Sequence, residues 1–217
     1  MKRLFRLLLL MPLLAACEQD VYDKGDSLYS YLRADMVDAK VGGDKKVVTV
    51  VTDDGEELPL TAPYSSSWIA KADTTYRAVM YYNLKGSQAE VVSMSQLSTV
   101  RIKPAFFVKD KLRDDPLSLE SAWVSGNKKY LNMSVIMKIG AIGKDDELQV
   151  LGMVGDSITA DGGKLTCHIR LYHSQGDVPQ YYSQRYYFSV PLSGIEVDSL
   201  QLRINTYDGV VVKGFRL

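Results

Sequence analysis

Ser157 follows Gly155 and Asp156 at the end of the apolar run Val150–Val154. A serine in such a place becomes a nucleophile only when an imidazole takes its proton and an acid orients that imidazole. The chain has two histidines, His168 and His173, both a short way downstream of Ser157. Cys167 stands beside them, and thiolate with imidazole is a zinc donor set. On one strand, however, Cys167 and His173 share a face while His168 turns to the other. At strand rise, Cys167 and His173 stand roughly 20 Å apart. They cannot ligate one tetrahedral ion. Cys167 is therefore expected to be a small buried hydrophobe and the two histidines surface residues. No metal and no cofactor is expected.

The stretch Gly152-Met153-Val154-Gly155-Asp156-Ser157 resembles the first block of GDSL-type esterases. In that family the acid and the histidine lie far downstream, and the serine caps a parallel α/β sheet. Nothing after Ser157 resembles the Asp-x-x-His block, and too little chain remains to build such a sheet. A motif without its context is only a hypothesis. The segment is expected to be a strand end and turn, with no catalytic residue, and the chain is expected not to be an enzyme.

Chemistry of another kind is written at the start of the chain. Lys2, Arg3 and Arg6 precede the apolar run Leu7–Leu14, and Ala15 and Ala16 precede Cys17. A basic start, a short apolar core and small residues before the cut make a secretory signal. A cysteine at the cut makes the pattern a lipobox, resembling bacterial lipoprotein signals. The apolar run is too short for a spanning helix, which needs about 20 residues. Residues 1–16 are thus expected to be a cleaved signal, with Cys17 the lipidation site and its acyl chains (palmitate among them) the membrane partner. Two or more chains make such anchoring stable.

Charge and cysteine use narrow the rest. The chain carries 26 Lys+Arg against 26 Asp+Glu. Loss of the signal removes three basic residues and leaves a slightly acidic protein, so nucleic acid, which needs a basic stripe, is not an expected partner. Of the two cysteines, acylation of Cys17 leaves Cys167 unpaired. An exported protein without a disulfide depends on its core. With 46% hydrophobic residues it has one to bury.

The elements that position these residues read as strands almost throughout. Residues 17–25 are polar and acidic and form a tether, in which Glu18, Asp20 and Asp23 resemble an export signal of surface lipoproteins. Residues 26–102 contain about five strands. Among them is Val47–Thr52, with the hairpin signal Asp54-Gly55 at its end. Residues 103–118, with Pro104 and Pro116 and many charges, are expected to be a linker. Residues 119–217 hold seven short strand signals separated by Gly-containing turns, which predicts an antiparallel β-sandwich. In Tyr130–Ile139, apolar residues at alternate positions predict one buried face.

Several of these stretches carry a further resemblance. Thr52-Asp53-Asp54-Gly55, Ala122-Trp123-Val124-Ser125-Gly126 with Tyr130-Leu131-Asn132, Tyr186 and Phe188 leading into Pro191-Leu192, and the closing Asn205-Thr206-Tyr207-Asp208-Gly209 resemble the NigD-like lipoproteins of Bacteroidetes. The resemblance implies a small OB-like barrel followed by a β-sandwich, and an immunity-related role, since the family is named after a bacteriocin locus. It supplies no catalytic residues.

OB barrels bind ligands on strands two and three and adjoining loops. Here those loops, Ala39–Lys45 and Leu84–Gln88, carry lysines but no aromatic platform of the kind single-stranded nucleic acid needs. Aromatic residues lie elsewhere: Tyr64, Trp68 and Tyr81 in the first half, and Tyr181 and Tyr187 flanking Arg185 in the second. Tyrosine, tryptophan and arginine favour interfaces, so these six are the candidate binding residues. The competing expectation for the second group is a strand with Tyr182, Tyr186 and Phe188 in the core. The functional expectation is a lipid-anchored outer-membrane protein, periplasmic or surface-exposed, with a binding or structural role toward a protein or glycan.

Overall fold

The computed structural model describes residues 31–108 and 113–217. The expected signal, Cys17 and the expected tether lie outside the described residues. The chain from Arg33 to Leu217 is one compact unit, and it is all-β.

Five strands come first: β1 (Arg33–Val41), β2 (Val47–Thr52), β3 (Glu57–Tyr64), β4 (Thr74–Lys85) and β5 (Gln88–Gln96). They close into a barrel in the order β1-β2-β3-β5-β4, with β4 returning to β1. This fits an OB-like barrel. The β-branched run Val47–Thr52 forms a strand because its side chains pack on a pleated surface, and Val47, Val50 and Thr52 point inward. Met80 and Tyr82 of β4 meet Val37, Leu58 and Ala89 in the barrel core. The loop expected to begin at Ala39 begins after Val41, because Ala39 and Val41 pair with β4 and are buried.

The remaining strands are β6 (Ser98–Thr99), β7 (Ile102–Pro104), β8 (Ser118–Val124), β9 (Tyr130–Ile139), β10 (Val150–Asp161), β11 (Lys164–Ser174), β12 (Tyr182–Pro191), β13 (Ser199–Thr206) and β14 (Gly209–Arg216). They form two sheets, β14-β13-β11-β10-β7 and β6-β12-β9-β8. Leu131, Met133 and Val135 of β9 pack with Phe188 and Val190 of β12 against Ile169, Leu171, Leu200 and Leu202 of the facing sheet. Burial of each such side chain stabilises the fold by about 1.5–3 kcal/mol.

Several expectations require correction. Residues 98–104 do not belong to the barrel or to a linker: β6 pairs with β12 and β7 with β10, one in each sandwich sheet. Strand pairing thus leaves the barrel at Leu97. Ser157 is not at a strand end, because β10 continues to Asp161 across a bulge between Gly155 and Ser157. His173 is not a surface residue but 2% exposed. Tyr182 lies outside the core, 68% exposed, whereas Phe188 is 2% exposed. In β9 the alternate face is also covered: Asn132 and Ser134 are as buried as Leu131 and Met133. The barrel covers Asn132, as the contacts below show.

Candidate functional site

Two hairpin tips meet where the barrel joins the sandwich. The turn after β2, Thr52-Asp53-Asp54-Gly55, lies against the turn after β8, Ser125-Gly126-Asn127. The Asn127 backbone N–H donates to the Asp53 carbonyl at 2.7 Å, and its side-chain amide donates to the Thr52 carbonyl at 3.2 Å. Gly126 is needed for the approach: a Cβ there would fall 2.6 Å from Asp54 Oδ1.

Behind the tips lies a buried polar cluster built by four strands and the turn after β2. Arg77 of β4 is its centre. Its Nη2 stands 2.6 and 2.8 Å from the two Asp53 carboxylate oxygens. Its Nε donates to Ser189 Oγ of β12 at 3.1 Å, and its Nη1 reaches Asp38 of β1 at 3.4 Å. Asn132 of β9 donates to Asp53 at 2.6 Å and accepts from Ser189 at 2.7 Å. Tyr130 donates to Asp38 at 2.9 Å, and its ring lies 4.0 Å beneath the guanidinium carbon. Lys129 stands 3.6 Å from Asp38, so two cations balance two carboxylates. Burial, then the bond to Asp38, pushes the Tyr130 hydroxyl up to about 12. Breaking such a pair leaves an uncompensated buried charge. The cluster holds barrel and sandwich in one arrangement, and its Asp53 reaches the surface as a lining residue of the groove beside it.

Beside this seam opens a groove of about 1200 Å³ between the barrel wall and the outer face of the β6-β12-β9-β8 sheet. Tyr81 stands on the barrel wall, while Trp123 of β8 and Tyr187 of β12 stand on the sheet. These residues are 43%, 39% and 44% exposed. Arg185 lines the groove too and pairs with Glu120. Ser134 donates to the other Glu120 oxygen at 2.5 Å. The bonds from Ser134 and then Arg185 hold the Glu120 carboxyl below its usual range. Asp35, also on the wall, accepts from the Tyr82 hydroxyl at 2.7 Å. Half-exposed rings thus share one concave surface with polar groups, Asp35, Asp53, Gln184 and Arg185 among them.

Of the six expected binding residues, Tyr81, Arg185 and Tyr187 come together in this groove. Tyr64 and Trp68 lie elsewhere: both pack against the barrel core. Tyr64 donates to the Met94 carbonyl at 3.0 Å, and Trp68 meets Tyr76 edge-on at 5.6 Å. Tyr181 is 74% exposed against Tyr182 and lies outside the groove. Trp123, of the stretch Ala122–Gly126, lines the groove beside Tyr81, Arg185 and Tyr187 but is not among the six. The six also omit Asp38, Arg77, Asn132 and Ser189. Arg77 carries one signal, a charged residue within the otherwise uncharged strand run Thr74–Leu84, whereas Asn132 sits where the alternation of β9 places a polar residue.

Ser157 and His168 are partners across β10 and β11. Yet His168 is engaged elsewhere, Nε2 with Thr159 Oγ1 at 2.8 Å and Nδ1 with Gln201 Oε1 at 2.9 Å. No carboxylate orients it, so no triad forms at Ser157. Cys167 is buried, as expected, and burial pushes its thiol up. Among the described residues no group of three or more His, Cys, Asp or Glu could hold a metal ion, and no helix is long and apolar enough to cross a membrane.

Known structures share this architecture. An immunity protein from Bacteroides caccae, itself NigD-like, aligns with a TM-score of 0.65 and 26% identity over 83% of this chain and 91% of its own. A candidate toxin-related protein from Parabacteroides distasonis aligns with a TM-score of 0.66 and 16% identity over 86% of this chain and 93% of its own. A candidate lipoprotein from Bacteroides fragilis aligns with a TM-score of 0.56 and 14% identity over 85% and 96%. The last two share the fold alone. No protein-family model and no curated protein matches the chain. The NigD-like resemblance carried by the sequence motifs is therefore supported in three dimensions.

Proposed function

We propose that this NigD-like chain is a lipid-anchored envelope protein, placed at the outer membrane, that binds a partner and performs no chemistry on it. One observation carries the reading: Tyr81, Trp123 and Tyr187 stand half-exposed around a single groove whose two walls are locked by the Arg77 cluster. Rings held in this way lose little freedom on binding, which favours affinity. The partner is a protein or a glycan, since both offer apolar faces with polar edges to such a surface.

A photo-crosslinking amino acid placed at Tyr187, and separately at Tyr64, tests this in intact envelopes. Adducts at position 187 and none at 64 are expected. Adducts at 64 only, or at neither, overturn the groove assignment. The anchor is tested apart from the groove by Cys17→Ser, which should abolish fatty-acid labelling and release the protein from membranes. A variant that stays labelled and membrane-bound overturns lipidation.

A second reading has one observation in its favour, the 26% identity with a protein named as NigD-like immunity protein. On this reading the groove's partner is a bacteriocin or its receptor. Expression in a bacteriocin-sensitive strain should then confer resistance, and Tyr187→Ala with Trp123→Ala should remove it while leaving the protein folded.

A further inference from the structure

Residues 101–108 form a feature that the groove does not use. Ile102–Pro104 pairs in parallel with Met153–Gly155 at one edge of the five-stranded sheet. Pro104 leads into a one-turn 3-10 helix, Ala105–Phe107, closed by a bond from the Val108 N–H to the Ala105 carbonyl at 3.2 Å. Val108 is 5% exposed and packs with Val154 and Tyr172 in a small core of its own. The Tyr172 ring lies across Gly152, where a Cβ would fall 2.2 Å from Cζ. The turn is therefore seated at both ends, on β10 and on Tyr172.

What the seat presents is unusual. Phe106 and Phe107 are 73% and 68% exposed, with ring centroids 4.0 Å apart. Two adjacent phenylalanines this open form an apolar tip that ordinarily marks a contact. Arg101 and Lys103, one position apart from Ile102 on either side, are exposed on the approach, and Arg113 is exposed beyond it. In a chain whose charges balance, 26 against 26, this short stretch is locally basic.

We propose that the Phe106-Phe107 turn is a membrane-contact element. The two rings enter the boundary between lipid headgroups and acyl chains, and Arg101 and Lys103 meet headgroup phosphates. The size of the tip argues for lipid over protein: two side chains fall far short of the ~800 Å² per partner of a stable protein interface. Insertion at a lipid interface instead accumulates in small increments of apolar area and charge, and it is effective as a second signal beside an acyl anchor. The proposal rests on the lipid-anchor reading for proximity alone. If Cys17 is acylated, the acyl chains tether the protein to the bilayer and keep the tip at a high effective concentration near it. The two contacts together would restrain how the groove is turned relative to the membrane.

The test uses the full chain, purified from membranes and reconstituted into vesicles of phosphatidylcholine and phosphatidylglycerol with brominated acyl chains. Phe106→Trp places a reporter in the tip. Val212→Trp, 55% exposed in wild type and on β14 at the opposite edge of the same sheet, is the control. After subtraction of the Trp68 and Trp123 signal, bromolipid should quench the tip reporter about threefold more than the control, and less when phosphatidylglycerol is omitted. Equal quenching of the two reporters overturns the proposal. So does shielding of the tip reporter that needs no lipid and grows with protein concentration, which would mean that a second copy covers it. Failure of the anchor reading would show separately, as a purified mass without acyl chains, while vesicles added to that protein would still test the tip.

Discussion

Arg77 and Asp53 face each other with Nη2 2.6 and 2.8 Å from the two carboxylate oxygens, and Asn132 of the sandwich grips the same carboxylate at 2.6 Å. An ion pair within the barrel is thereby also the barrel's hold on the second half of the chain. The Arg77 side chain is 2% exposed and that of Asp53 16%. Arg77→Met should therefore leave Asp53 without its cation and Asp38 with Lys129 alone, at a cost of about 3–5 kcal/mol. Urea denaturation measures it. Adding Asp53→Asn should recover part of the loss. A change below about 1 kcal/mol in the single variant would mean that the cluster is solvated and does not hold the two parts together.

Gly126→Ala should act at the same seam by a different cause. Its Cβ would meet Asp54 Oδ1 at 2.6 Å and the backbone at Asp53 O and Asp54 Cα at 3.3 Å. The side chain can swing away but the backbone cannot, so about 1–3 kcal/mol should be lost. Gly214→Ala, with nothing within 4 Å, should stay within about 0.5 kcal/mol of wild type. Equal melting temperatures for the two variants would contradict close approach of the hairpins.

His173 predicts a pH dependence. Burial, the larger cause, lowers its pKa from 6.5, and its contacts with Asp115 and Pro116 offset only part of this. Its Nδ1 faces the Asp115 carbonyl at 3.2 Å and its Nε2 the Gln149 amide nitrogen at 3.0 Å. The neutral ring donates to the first and accepts from the second. A proton on Nε2 would set donor against donor. The unfolded chain takes up this proton near pH 6.5, the folded chain only at lower pH. Stability from this group is thus complete above about 6.5 and lost as pH falls from there toward the folded value, with a slope of up to about 1.4 kcal/mol per pH unit. Unfolding measured between pH 7.5 and 5.5 should show the decline, and His173→Gln should flatten it. An unchanged slope in the variant would assign the effect to other groups.

Ser157→Ala should change neither stability nor reactivity, since His168 is held by Thr159 and Gln201. A fluorophosphonate probe that labels wild type and spares the variant would show a nucleophile that the geometry does not provide.

Most strands were legible, because apolar alternation and Gly-containing turns are local properties. Val47–Thr52 with its Asp54-Gly55 turn, and Tyr130–Ile139 as a strand, read correctly, though burial of the second face of Tyr130–Ile139 did not. What stayed hidden depends on partners distant in sequence. Residues 98–104 are too short for any periodicity, and only their pairing with β10 and β12 makes them strands. Asn132 and Ser134 look like an exposed face until the barrel and Glu120 cover them. His173 is buried against Asp115 and Gln149, brought in from two loops. The groove was half legible. Tyr81, Arg185 and Tyr187 were picked by residue type, but a residue type cannot tell a groove wall from the barrel packing that holds Tyr64 and Trp68.

The segment from Ser98 to Pro104, which gives one strand to each sheet of the sandwich, bears on how this architecture can be inherited. A gene fragment beginning after it would encode a sandwich with a missing strand on each layer and two raw hydrogen-bonding edges, an aggregation hazard. A fragment ending before it would encode a barrel whose Arg77 has lost Asn132 and Ser189. Neither half is a cassette that recombination could move alone. Descent of this fold should therefore proceed by divergence of the whole chain.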